Sequence, residues 1–120
     1  MNNQVSNDAG ISRRASPRRS ADNCITVIDG RAYPVYNWSD GGLLIGADER
    51  LFSVDSPIQV TMKFRLTDRI LDVPTRGRII RKARDRLAIQ FAPLTKDLQK
   101  MFKQVVDDYV TREFMESQLV

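Results

Sequence analysis

The 120-residue sequence has no histidine and one cysteine, Cys24. Without histidine, the chain lacks the commonest general base and the usual nitrogen ligand for metals. A single cysteine cannot form an internal disulfide, which favours a reducing compartment, and we expect a cytoplasmic protein. We predict neither a catalytic site nor a metal centre.

Long apolar runs and enzyme motifs are also missing. No stretch approaches the roughly 18 apolar residues of a membrane span, and the N-terminus does not resemble a signal peptide. The phosphate-binding glycine-rich loops and the HExxH and GxSxG motifs are absent, and no spacing of Asp and Glu marks an acid-base pair. We therefore expect a binding protein without a cofactor rather than an enzyme.

The chain does contain an excess of positive charge. Lys and Arg number 19 against 15 Asp and Glu, for a net charge of +4, which favours an anionic partner such as a nucleotide, a nucleic acid or an acidic membrane. Residues 1–20 contain too few apolar side chains to form a core, whereas β-type patterning begins at Cys24. We assign residues 1–20 to a flexible basic arm and residues 21–120 to one folded domain.

The folded domain has the pattern of six short strands followed by a helix. The predicted strands cover residues 24–28, 32–37, the stretch GGLLIGA, residues 57–66, residues 70–82 and the stretch LAIQF. Asp29-Gly30 indicates a type I′ turn between the first two strands, and Pro74 and Gly77 predict a bend or bulge in the fifth. Hairpin connections favour an antiparallel barrel, because closure removes exposed sheet edges.

After Pro93 the apolar period changes from two to about 3.6 residues. The apolar stripe consists of Leu98, Met101, Phe102, Val105, Tyr109 and Val110. It predicts an amphipathic helix over residues 95–117 with Thr95 as N-cap, covering one opening or side of the barrel. The predicted fold is therefore mainly β: a six-stranded antiparallel β-barrel with a C-terminal α-helix and a flexible N-terminal arm.

Two features exceed what folding needs: the arginines of ISRRASPRRS and the stretch NWSDGG. Arginine in an arm suits an anion, because its planar fork binds phosphate with two hydrogen bonds and also matches the acceptor edge of guanine. In the second stretch, Asn37 and Ser39 lie on the same side of a strand end, and Gly41-Gly42 permits a turn and a close approach.

Each feature also has an ordinary explanation. RRAS matches a serine kinase pattern at Ser16, and an arginine cluster is often solvated surface or a general nucleic-acid contact. NWSDGG is often a polar turn with its tryptophan, Trp38, in the core. A second basic region has the pattern of outward-facing strand positions; it contains Arg76, Arg78, Arg81, Lys82, Arg84 and Arg86.

Taken together, the two stretches resemble the signature motifs of the PilZ domain. Residues 14–18, RASPR, read RxxxR, and residues 37–42, NWSDGG, read (D/N)xSxxG. The stretch RGRIIRKARDRLAIQFAPL, followed by a helix, is similar to the closing strands of that family. The resemblance covers residues 13–110 and implies a six-stranded barrel with a C-terminal helix that binds the bacterial second messenger cyclic di-GMP.

The resemblance also implies roles for individual residues. Arg14 and Arg18 match the arm arginines that bind phosphates and guanine edges, and Arg13 precedes them where family members often add a phosphate contact. The second motif contacts guanine through Asn37 and Ser39, while Gly42 keeps the turn open.

Arg81 is a further candidate, for stacking on a base. The ligand binds as a monomer in some family members and as an intercalated dimer in others, and we favour the dimer.

The predicted function is a sensor in which cyclic di-GMP orders the arm and changes the surface that meets a protein effector in motility, polysaccharide or biofilm control. Two alternatives stay open: a nucleic-acid-binding barrel that uses the same arginines, and a PilZ-like module for protein contacts alone. Salt dependence and base specificity distinguish the nucleic-acid alternative from the sensor. Binding to a phosphate backbone depends steeply on salt and tolerates any sequence, whereas a sensor requires guanine. We expect no DNA partner.

Overall fold

A computed structural model describes residues 19–20 and 23–118. The elements are β1 (Arg19–Ser20), β2 (Cys24–Ile28), β3 (Arg31–Ser39), β4 (Gly42–Gly46), a short 3-10 helix (Glu49–Leu51), β5 (Pro57–Arg65), β6 (Ile70–Ala83), β7 (Arg86–Phe91) and α1 (Lys96–Ser117). All six predicted barrel strands and the helix are present. The largest difference in their bounds is at β3, which continues two residues beyond the predicted end to include Ser39.

The six strands β2 to β7 form a closed antiparallel barrel. Neighbouring strands follow the order β3, β2, β5, β6, β7, β4, and pairing between β4 and β3 closes the circle. Closure depends on the length of β3, because its first part pairs with β2 and its second part with β4. The predicted fold class is confirmed.

The turn between β2 and β3 has the predicted conformation. Asp29 and Gly30 have φ values of 50° and 81°, and a type I′ turn requires positive φ at both central positions. The predicted bulge in β6 is present and lies between Ile79 and Arg81, while Pro74 and Gly77, the residues from which it was predicted, keep regular pairing with β5. Pro74 is tolerated because β6 pairs with β7 only from Gly77 onward. At Pro74 the strand is therefore paired on one side only, with β5.

The helix α1 packs on an aromatic cluster of the barrel. Phe102 lies against the ring of Trp38, with centroids 5.6 Å apart, and also contacts Phe64 and Phe91. Thr95 is the N-cap as predicted, since its Oγ1 accepts a hydrogen bond from the Leu98 N–H. The first part of the predicted apolar stripe packs against the barrel core. Val110, near its end, does not, since it is 50% exposed.

Candidate functional site

The NWSDGG stretch spans the end of β3, the turn that follows it and the start of β4. Trp38 is buried and meets the ring of Phe64 edge-on at a centroid distance of 4.9 Å. Successive side chains of a strand point to opposite faces, so Asn37 and Ser39 lie on the outer face of the barrel. The buried tryptophan therefore anchors a strand end whose polar side chains face outward.

Ser39 shapes the turn that follows it. Its Oγ accepts a hydrogen bond from the Gly41 N–H at 3.1 Å, and its side chain is largely covered, with 8% of the residue exposed. Asn37 is half-buried, and Leu44 lies opposite it on β4. The serine therefore has a structural role in the turn between β3 and β4.

Gly42 is the first residue of β4 and lies between Ser39 on one side and Gln90 on the other. The φ angle of Gly42 is not positive, so a left-handed backbone conformation is not the reason for a glycine at this position. The reason is the close approach of β7, whose backbone occupies the space that a side chain would need.

Strand β1 lies next to this site. Its two residues pair with β3, with Ser20 opposite Asn37 and Arg19 opposite Trp38. Both residues belong to the predicted arm, because two residues are too few to produce a β-type pattern in the sequence. The predicted arm residues Arg13, Arg14 and Arg18 lie outside the described residues.

Arg81 lies in the same cross-strand row as Asn37. Asn37 is opposite Leu44, Leu44 is opposite Ala88, and Ala88 is opposite Arg81. Directly paired residues of antiparallel strands point to the same face, and three strand spacings correspond to about 14 Å. The bulge at Ile80 sets this register and aligns the exposed arginine with the motif.

A second row runs parallel to the first, from Ser39 through Gly42 and Gln90 to Arg78. Gln90 and Arg78 are not among the site residues predicted from the sequence. The basic composition of this region was the available signal, but composition does not reveal which residues share a row. The outer faces of β3, β4, β7 and β6 thus form one continuous surface, with the motif at one edge and arginines at the other.

The lone thiol lies away from this surface. Cys24 is buried, and burial raises the pKa of its thiol to about 12. The thiolate is the reactive form of cysteine, so this side chain is chemically inert at neutral pH and packs as a small apolar group.

Comparison with known proteins identifies the family. The model described as PilZ domain matches residues 12–108. A search of curated proteins found no match. Within residues 19–20 and 23–118, no helix is long and apolar enough to cross a membrane.

Two solved structures are similar in fold. The PilZ domain of CeSA from a cellulose-synthesizing bacterium is 17% identical with a TM-score of 0.55, covering 77% of this chain and 97% of the other. The Legionella uncharacterized protein Lpg0364 is 11% identical with a TM-score of 0.54, covering 88% of this chain and 100% of the other.

Proposed function

Because the chain belongs to the PilZ domain family, whose ligand is cyclic di-GMP, we propose that it is a receptor for this nucleotide. The ligand binds between the arginine arm and the outer face of β3 and β4. The family's role is binding rather than catalysis, and the nucleotide acts as a signal that is bound and released unchanged.

One observation carries the proposal: the pairing of β1 with the strand end that holds the second motif. Ser20 lies opposite Asn37, and Arg18, the last residue of RxxxR, is bonded directly to Arg19 of the same short strand. Arg14 precedes Arg19 by five residues, so its Cα lies within about 18 Å of Arg19 even in a fully extended chain. The topology therefore supports joint use of the two motifs by one small ligand.

In the proposed complex, Arg14 and Arg18 bind the phosphates and the guanine edges through charge-assisted hydrogen bonds. Asn37 and Ser39 contact a guanine from the barrel, and Gly42 lets β4 lie close to β7 beside them. Binding orders the arm, and the contacts must outweigh the conformational entropy that the arm loses.

Two further arginines contact the ligand in the proposed complex. Arg13 adds a phosphate contact from the arm, and Arg81 stacks on a base that lies beyond the first guanine. Since about 14 Å separates the strand positions of Arg81 and Asn37, a stacked ligand dimer engages both more readily than a monomer does. We therefore propose a dimeric ligand, which predicts two nucleotides bound per chain.

The test is a calorimetric titration of the full chain with cyclic di-GMP, with GTP and cyclic di-AMP as controls. We expect a dissociation constant of about 1 µM or below for cyclic di-GMP, which corresponds to about 8 kcal/mol of binding free energy, and much weaker binding of the controls. A chain that releases no heat with cyclic di-GMP and shows no other sign of binding would contradict the proposal. Equal binding of single-stranded DNA of any sequence would favour the nucleic-acid alternative.

The titration has a matched control within β3. Arg31 is an exposed arginine at the opposite end of that strand from the motif. We expect Arg31→Ala to bind cyclic di-GMP like the parent chain, whereas Arg14→Ala and Arg18→Ala lose affinity. Hydrogen exchange over residues 13–19 tests the arm directly, because ligand should slow exchange there; equal rates with and without ligand would contradict ordering of the arm.

A further inference from the structure

The positive charge is concentrated in one hairpin, formed by β6 and β7. The hairpin, residues 70–91, contains six cationic side chains and two carboxylates, Asp72 and Asp85, so its net charge of +4 equals that of the whole chain. The cationic residues are Arg76, Arg78, Arg81, Lys82, Arg84 and Arg86. All other residues taken together therefore have no net charge, and the hairpin makes a large contribution to the electrostatic field of the domain.

These arginines are exposed and are not neutralised by neighbouring acids. The ion pairs among the described residues involve Arg50, Lys63, Arg69, Lys103 and Arg112, and none involves an arginine of the hairpin. Lys82 differs from the arginines, because its Nζ donates to the Phe52 carbonyl at 2.7 Å. Like charges on one face repel one another, so the isolated domain gains no stability from this arrangement.

Two of the arginines line an open groove of about 800 Å³. Arg76 lies opposite Gln59 on β5, and Arg78 lies opposite Gln90 on β7, so each arginine has a glutamine at the directly paired position of the neighbouring strand. Side chains on one face of a strand repeat every 6.6 Å or so, and the carboxylates on one face of an extended peptide have the same repeat. The amides supply donors and acceptors for the backbone of such a peptide.

Apolar and aromatic groups lie beside the charges. Ile80, placed outward by the bulge, is 47% exposed between Arg78 and Arg81. Tyr36 is 44% exposed, and the guanidinium of Arg86 lies 4.3 Å from the centroid of its ring. Tyrosine and arginine are enriched in protein interfaces, and a phosphate backbone provides no apolar group to pack on Ile80. The combination favours a protein partner over a nucleic acid.

We propose that the outer face of β6 and β7 binds an acidic, extended segment of a partner protein. Carboxylates of that segment pair with Arg76 and Arg78, and an apolar side chain packs on Ile80. This docking goes beyond nucleotide binding and does not require the nucleotide, so it succeeds or fails separately from the function proposed above.

The test uses the full chain without nucleotide and a short labelled peptide in which glutamate alternates with alanine around one central leucine. Fluorescence anisotropy measures its binding to the parent, to Arg76→Gln/Arg78→Gln and to the control Lys96→Gln/Lys100→Gln, which removes the same charge from α1. We expect the first pair to weaken binding by about fivefold or more and the control to change it by less than about twofold. Equal binding of the peptide by parent and Arg76→Gln/Arg78→Gln would overturn the proposal.

Further probes test the chemistry of the partner. A peptide with lysine in place of glutamate should not bind, and replacing the central leucine by alanine should weaken binding to the parent but not to Ile80→Ser. Duplex DNA or phosphatidylserine vesicles that bind more tightly than the acidic peptide, and lose that binding in Arg76→Gln/Arg78→Gln, would overturn the assignment to a protein. If this double variant has a lowered melting temperature, the single variants Arg76→Gln and Arg78→Gln replace it, and each should weaken binding of the peptide.

Discussion

A Cβ atom on Gly42 would lie 2.3 Å from the carbonyl oxygen of Ile89. The neighbouring strand therefore excludes any side chain at this motif position. Gly77 has the same relation to β7 from the other side, since its Cβ would lie 2.3 Å from the Gln90 carbonyl oxygen. The two glycines allow β4 and β6 to approach β7, so Gly42 has a structural role in the barrel that does not depend on any ligand.

The first prediction concerns this contact. Gly42→Ala should destabilise the domain by about 1–3 kcal/mol, because the β7 backbone must shift to admit a methyl group. Gly41→Ala is the matched control, since the nearest atom to its Cβ would be the Ser39 Oγ at an ordinary distance of 3.6 Å. Thermal melts without ligand compare the two variants. Equal melting temperatures would show that β7 is not the constraint.

The second prediction separates binding from folding. Arg14→Ala and Arg18→Ala should each weaken cyclic di-GMP binding by about 1.5–3 kcal/mol, because each removes charge-assisted hydrogen bonds. Their melting temperatures without ligand should equal that of the parent, because the proposed contacts form only with ligand. Calorimetry and thermal melts measure the two effects. If either variant unfolds the domain or binds as tightly as the parent, the assignment of the arm fails.

The third prediction concerns a core residue, whose replacement should affect folding rather than ligand binding. Phe64 is buried and contacts the rings of both Trp38 and Phe102. Phe64→Ala should cost about 3–5 kcal/mol of stability, because it leaves a cavity in the aromatic cluster under α1. Urea unfolding measures this loss, and binding in the folded fraction should change far less than in Arg14→Ala. A stability close to that of the parent would contradict the role of this cluster.

The fourth prediction concerns Ser39, which has both a structural and a proposed binding role. Ser39→Ala removes the acceptor of the Gly41 N–H and should cost about 0.5–1.5 kcal/mol of stability. We expect a smaller loss of ligand affinity than in the arginine variants, because a neutral hydroxyl makes weaker contacts than a guanidinium does. Ser39→Thr keeps the hydroxyl and serves as a control. A larger affinity loss in Ser39→Ala than in Arg14→Ala would reverse this ranking.

The fifth prediction is a pH dependence at the contact between α1 and the turn after β5. The Asp108 carboxylate accepts hydrogen bonds from the Thr67 N–H at 3.1 Å and from Arg112 at 2.9 Å. Burial alone would raise the pKa of this carboxyl, but the hydrogen bonds from Thr67 and the charge of Arg112 lower it below its ordinary value. A lowered pKa in the folded state stabilises the fold above the unfolded-state pKa of about 3.9, and this contribution disappears as the pH falls through the lowered value.

Asp108→Asn should therefore have a lower melting temperature than the parent near neutral pH, and the difference should shrink below about pH 4. Asp107→Asn is the control, because Asp107 is exposed and its pair with Lys103 lies on the helix surface. Thermal melts across this pH range measure both variants. A difference for Asp108→Asn that persists unchanged in acid would show that its cause is not the charge.

The amino-acid sequence alone determined the features that depend on residues close together in the chain. Alternating apolar residues predicted the barrel strands, Asp29-Gly30 predicted the type I′ turn, and the change of period after Pro93 predicted the helix with Thr95 as its cap. Such signals are local, because side-chain direction and turn conformation follow from a few neighbouring residues. Both motifs were also readable, since each occupies a short stretch.

Only the tertiary structure decided which distant residues share a surface. Pro74 and Gly77 predicted a bulge in β6 without its position; it lies at Ile80, and it aligns Arg81 with Asn37 across four strands. Gly42 is a glycine because β7 passes beside it, a contact between segments more than 40 residues apart. Register between distant strands is decided by packing across the whole barrel, and no single stretch of sequence contains that information.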